Sequence, residues 1–232
     1  MDPRQDKPWG PTVEIKEEVR LSRVMAVILV LLLGPAPGKL SCDPAVTVRY
    51  AKIGDISAIL DLIERNRPGV STGEHGFLLS HVGMGELRRY IASETVLIAE
   101  VDADPIGFAV ALDAYDYGDL EGAELNWSSA CAAALHQQSQ SLYLWLIGVH
   151  PGHQKRGVGK KLLEELDTIA RRKGKNCIVA DYMTAPQLNE GSRRFFERRG
   201  FAISGALSLS DYHGVGPSSY QIVSRTCGAH ES

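Results

Sequence analysis

The sequence predicts a mixed α/β domain with a central sheet, of about seven strands and about four helices, between Val46 and Arg225. Three observations predict it. Short apolar runs of strand length alternate along the chain with longer segments whose apolar residues recur at helical spacing. Between Leu142 and Gly174 a strand feeds a helix: Leu142 to Val149 is apolar and aromatic-rich, and Val158, Leu162, Leu163, Leu166, Ile169 and Ala170 then form one helical stripe that stops at a glycine. Composition agrees, because 232 residues with 44% hydrophobic and 23% charged side chains suit one domain with a sizeable core plus appendages.

Residues 1 to 45 read as an extension outside that domain. Val24 to Leu33 is ten consecutive apolar residues, whereas a spanning helix needs roughly 20, so no membrane span is predicted. A signal-peptide core behind Arg20 and Arg23 is one reading, although five acidic residues between Asp2 and Glu18 are foreign to such a leader. The others are a start codon placed too far upstream and a tail whose apolar run packs on a neighbour.

The domain opens with Val46 to Ile53, where Val46, Val48 and Tyr50 share one side of a strand. Asp55 is positioned to cap the next helix, whose stripe is Ile56, Ile59, Leu60 and Ile63. A Gly- and His-containing stretch, Arg67 to His81, leads to a second helix at Met84 to Ala92. Thr95 to Val101 and Ile106 to Leu112 are strands joined through Asp102-Ala103-Asp104-Pro105, a hairpin signal. The connection from Leu112 to Leu142 is long. Asp113 to Glu121 is acidic and Tyr-rich, and Trp127 to Gln138 is Ala-rich with helix-favouring composition. Its Asp113, Tyr115, Asp116, Tyr117, Asp119 and Glu121 would attract a cationic amine. After the helix ending at Gly174 come a strand at Asn176 to Met183, a helix at Asn189 to Arg199, and strands at Phe201 to Leu209 and Ser218 to Ser224. Residues 226 to 232 are a tail.

Charge and cysteine usage exclude several classes. Net charge is -3 and the sequence pI about 6.2, so no global field draws the chain to nucleic acid. Cys42, Cys131, Cys177 and Cys227 are widely spaced without a CxxC pair, which indicates neither zinc nor a disulfide framework; no metal is expected.

The chemistry is concentrated at the joint His150 to Gly159, which carries Pro151, three glycines and several basic or amide side chains at a helix start. Unpaired N–H groups and the positive end of the helix dipole there favour an anion. A Walker A loop is excluded, since Gly152 is followed four residues on by Gly157-Val158 rather than Gly-Lys, and the dinucleotide fingerprint fails at Leu162. What fits is Gln154-Lys155-Arg156-Gly157-Val158-Gly159 behind an apolar strand. About thirty residues later stands Asn189-Glu190-Gly191-Ser192-Arg193-Arg194-Phe195-Phe196-Glu197-Arg198-Arg199-Gly200-Phe201.

The two segments, in this order, resemble the signatures of the GNAT superfamily of N-acetyltransferases, and the resemblance covers nearly all of Val46 to Arg225. It implies a mostly antiparallel mixed sheet in which Leu142 to Val149 splays from Asn176 to Met183. It implies acetyl-CoA as co-substrate, with the pantetheine arm bonding to the backbone of Ile147 and Val149. The pyrophosphate would be wrapped by Gln154, Lys155, Arg156, Gly157, Val158, Gly159 and Lys160, and Asn189 and Phe196 would complete the cofactor site. The implied activity is acetyl transfer to a primary amine of a small molecule or polypeptide, in the cytoplasm, where coenzyme A chiefly resides, with membrane association or export through Val24 to Leu33 as the alternative. It implies that the helix at Met84 to Ala92, the loop before it and the late strands shape the acceptor pocket, which makes Gly73, Glu74, His75 and Phe77 candidate pocket residues. A homodimer is compatible with it.

Two departures stand out. Many relatives carry tyrosine as the second residue of the aromatic pair, where it can protonate the leaving thiolate, and this chain has Phe196; Tyr182 is the candidate substitute. Leu142 to Val149 holds no carboxylate where some relatives place a glutamate, which leaves His150, Asp181, Asp211 and His213 as bases acting through water. A coenzyme A-binding regulatory module with little turnover is therefore the competing reading.

Overall fold

The computed structural model describes residues 45–69, 76–113, 123–128, 140–211 and 216–227. Eight strands form one sheet: β1 (Thr47–Tyr50), β2 (Val96–Val101), β3 (Asp104–Leu112), β4 (Ala123–Trp127), β5 (Ser141–Val149), β6 (Cys177–Ala185), β7 (Ala202–Leu209) and β8 (Ser218–Thr226). The helices are α1 (Ile56–Arg65), α2 (Met84–Ala92), α3 (Val158–Arg172) and α4 (Glu190–Glu197), with two short 3-10 turns at Ile53–Asp55 and Pro151–His153. Strand order is β1-β2-β3-β5-β6-β8-β7-β4, and every neighbouring pair is antiparallel except β5 with β6.

The strand alternation deals residues to two faces. From β2, Leu97 and Ala99 join Ala109, Ala111, Leu142, Leu144, Ile178 and Ala180 under the α3 stripe of Val158, Leu162, Leu163, Leu166, Ile169 and Ala170. Burial of each of those leucines is worth ~1.5–3 kcal/mol, which fixes α3 on this face. Val46, Val48 and Tyr50 pack beside the same cluster, as their shared side predicts. Val96, Ile98, Phe108, Val110 and Leu146 face the other way, against Ile56, Ile59, Leu62 and Ile63 of α1 and Leu87 of α2. Further along that second face, Phe77 covers Tyr143, Val179, Met183, Leu207, Tyr220 and Ile222.

Three expectations are corrected. The sheet has eight strands where about seven are predicted, because Ala123–Trp127 forms β4 within the long connection and pairs along β7. Trp127, expected to begin an Ala-rich helix, ends that strand; residues 129–138 of the predicted helix lie outside the described residues. Asp55 stands at the α1 N-cap without bonding to a helix amide. Its carboxylate instead accepts from the Lys52 amide at 2.6 Å and from the Arg49 guanidinium at 2.7 Å, tying β1 to the turn before α1. Residues 1–44, Gly73, Glu74 and His75, Tyr115 through Glu121 and His213, for which the sequence raises expectations, also lie outside the described residues.

Candidate active site: a split sheet and an uncapped helix start

β5 and β6 pair in parallel only from Ser141↔Cys177 to Leu144↔Ala180, and beyond that point the two strands part. On its other edge β5 stays bonded to β3, and the amide of His150 donating to the Ile106 carbonyl at 2.8 Å sets the phase. Strand hydrogen bonds alternate in direction, so Gly148 and Leu146 also turn to β3 while the backbone of Ile147 and Val149 turns into the gap, before a bulge at Trp145 shifts the register.

At the foot of the gap the chain turns from β5 into α3. The imidazole of His150 accepts from the Gly152 amide at 3.2 Å and caps the Pro151–His153 turn. Gln154 then folds its side chain back, donating to the Val149 carbonyl at 3.1 Å and to Asn66 Oδ1 at 3.4 Å. Gly157, with φ of +82°, occupies the left-handed region at the α3 N-cap, and no side chain caps the helix. The first-turn N–H groups of α3 are thus left facing outward, which with the helix dipole makes an anion receptor. Gly159 serves a different need: a Cβ there would lie 3.0 Å from the Phe195 ring, so a side chain at position 159 would press on that ring of α4.

A cleft of about 570 Å³ lies over this turn, large enough for an elongated ligand. Ile147, Val149, Gln154, Lys155, Gly157, Val158, Gly159 and Lys160 all line it. Of the predicted cofactor residues, Arg156, Asn189 and Phe196 are absent from its walls. Asn189 is buried and spends its amide on the fold: Oδ1 accepts from Ser192 N at 3.2 Å as the α4 N-cap, and Nδ2 donates to the Phe77 carbonyl at 2.8 Å. Phe196 is a core residue, tilted against Phe201 at 5.0 Å and stacked on Tyr182 at 6.4 Å. It is Phe195 that borders the cleft, accompanied by Arg194, Arg198 and Arg199. Sequence reasoning assigns these arginines no role, although the doubled Arg pairs on either side of Phe195-Phe196-Glu197 are a signal for a basic wall. The Nε of Arg199 is buried without a hydrogen-bond partner among the described residues.

Behind the point where the strands part lies a second, smaller cavity, about 80 Å³. It shares Phe77, Leu78, Ile147 and Ser192 with the cleft, so the two spaces meet at the β5 backbone. Tyr182 lines it; burial raises its phenol above the ordinary value, reinforced by Glu197, so the hydroxyl keeps its proton across neutral pH. That hydroxyl has no hydrogen bond among the described residues. On the opposite side of β6, Tyr143 donates to Asp181 Oδ2 at 2.6 Å. Burial lowers the His150 imidazole below its usual value, with Arg65 and His153 adding to the effect and Asp61 opposing it. Among the described residues no group of three or more His, Cys, Asp or Glu is arranged to hold a metal. Asp113 is remote from both spaces, bound to Lys173 Nζ at 2.7 Å near the far end of α3.

Comparison with known proteins places this geometry. A model of the acetyltransferase (GNAT) family matches residues 61–201. Among solved structures, Ard1 from Thermoplasma volcanium shares 16% identity at a TM-score of 0.56, over 78% of this chain and 97% of that one. The yncA protein of Salmonella typhimurium, solved with its cofactor acetyl-CoA, shares 22% identity at 0.55, over 81% and 97%. The ribosomal-protein-S18-alanine N-acetyltransferase of Escherichia coli shares 15% at 0.50, over 81% and 97%. At such identities the likeness is one of fold. No curated protein matches the sequence.

Proposed function

The chain belongs to the acetyltransferase (GNAT) family, and from that premise we propose that it moves an acetyl group from acetyl-CoA to a primary amine of a small molecule or polypeptide. The observation that carries this reading is the uncapped start of α3 at the foot of the β5/β6 split. The diphosphate of the donor fits there, on the outward amides of the first turn, with Lys155 and Lys160 beside it and Arg194, Arg198 and Arg199 on the facing wall for its remaining negative charge. The arm of the donor runs into the gap, where Ile147 and Val149 offer backbone groups. Gln154 acts from behind by holding the Val149 carbonyl and so the angle between strand and turn.

In the transfer, the amine nitrogen bonds to the thioester carbon, the carbon–sulfur bond breaks, the sulfur gains a proton and the nitrogen loses one. A β5 amide facing the carbonyl oxygen would lower the barrier by about 3 kcal/mol, and holding both reactants in line supplies a comparable share. Tyr182 is the side chain we assign to protonating the sulfur, because the residue lines the smaller cavity and its phenol remains protonated. A thiol of pKa about 8.5 leaves tolerably even unaided, so Tyr182 adds rate rather than making the reaction feasible. The reading assigns the activity to the cytoplasm; no described helix is long and apolar enough to cross a membrane.

One observation favours a second reading. Phe196 has no proton to give and is packed into the core, as in a protein that binds coenzyme A without turning it over. Two measurements separate them. Calorimetry with acetyl-CoA should register binding at micromolar concentration, and thiol release should follow on adding a panel of primary amines. Binding without release would leave the regulatory module; no heat at all would remove both readings.

A further inference from the structure

The smaller cavity carries a statement about the acceptor that the family does not supply. The aromatic side chains of Phe77, Tyr143, Trp145, Tyr182 and Tyr220 line it together with the polar Ser80, Asn189 and Ser192. Among the described residues lining it, Asp181 is the one charged side chain. Its position follows from register: Ala180 is the last β6 residue paired with β5, so Asp181 is the first beyond the split. Tyr143, one residue before the last paired position on β5, reaches across and donates to Asp181 Oδ2 at 2.6 Å. The bond favours the ionised carboxylate and fixes its direction. A half-buried negative charge, fixed in direction by a phenol and flanked by ring systems, attracts a cation more strongly than the same charge in open solvent. Aromatic walls add to that attraction. At about 80 Å³ the space admits a thin stem rather than a bulky body.

We propose that this cavity is the acceptor pocket and that it selects a primary amine arriving as its ammonium on a slender apolar stem, held by Asp181 and aimed by Tyr143. The inference rests on the acetyl-transfer reading for its biological meaning. Asp181 touches the acceptor and sets its affinity; the proton the nitrogen sheds before attack passes to water in the adjoining cleft.

Binding can be read without turnover, using protein saturated with coenzyme A, which forms a dead-end complex with the amine. Butylamine, charged at neutral pH, and aniline, uncharged there, are titrated by calorimetry into wild type, Asp181→Asn and Tyr143→Phe. The expected result is butylamine affinity reduced at least about tenfold by Asp181→Asn, a smaller reduction by Tyr143→Phe, and aniline affinity unaffected by either. Equal coenzyme A affinity in all three proteins certifies that the variants fold. Undiminished butylamine affinity in folded Asp181→Asn overturns the proposal. Absence of acetyl transfer by wild type to any amine would overturn the acetyl-transfer reading instead, and the binding comparison would still decide whether Asp181 recognises an ammonium.

Discussion

Gln154, Asn189 and Gly159 are prominent in the sequence for one reason and act in the structure for another. Gln154 holds the strand end and Asn189 the α4 start, while Gly159 is small because Phe195 needs the room. The two loop glycines should therefore separate in experiment. Gly157→Ala meets open space but forces a left-handed backbone on a side-chain-bearing residue, and should cost roughly 1–2 kcal/mol in a urea titration. Gly159→Ala pushes the Phe195 ring outward and should weaken acetyl-CoA binding by about tenfold, equivalent to ~1.4 kcal/mol, as read by calorimetry. Tyr182→Phe tests the proton donor. It should lower kcat by ~100-fold with acetyl-CoA affinity unchanged, and an undiminished kcat would relieve Tyr182 of that role.

At the scale of elements, α4 and the turn after β5 are held by single polar side chains. Asn189→Ala removes the α4 cap and leaves the buried Phe77 carbonyl without its donor, a loss of about 2–3 kcal/mol by chemical denaturation. The turn at Pro151–His153 depends on His150 accepting from Gly152, which requires an unprotonated ring nitrogen. Because folding lowers the His150 pKa below the unfolded value near 6.5, its contribution is complete above that pH and is lost as pH falls through the window beneath it. The urea midpoint of wild type should drop between pH 7 and 5, and His150→Asn should flatten that slope. The Glu190 carboxylate, held down to about 2 by hydrogen bonds from Arg193 and then Arg194, stays charged throughout this window and contributes no slope.

For the molecule as a whole, where charge sits matters more than its sum. The chain is net -3, yet the cleft is walled by Lys155, Lys160, Arg194, Arg198 and Arg199. Of the acidic connection expected to draw in a cationic amine, Asp113 is already paired with Lys173 and Lys175 at the opposite end of α3, about 20 Å from its start at 1.5 Å per residue. Asp113→Asn should leave the acceptor KM unchanged and cost under about 1 kcal/mol of stability, whereas a raised KM would return the acidic connection to consideration.

Period and punctuation in the sequence determined the four helices and seven of the eight strands among the described residues, and the glycine turn that starts α3, because those depend on residues close together in the chain. The short β4 escaped because Ala-Glu-Leu-Asn-Trp carries too little strand pattern by itself; it exists through pairing with β7, some eighty residues away. Only the tertiary structure decided that β5 and β6 part after Leu144, that Phe195 rather than Phe196 borders the cleft, and that Tyr143 meets Asp181 across the split. Each of those is a distance between residues remote in sequence, set by how the two faces of the sheet pack, and no local pattern encodes it.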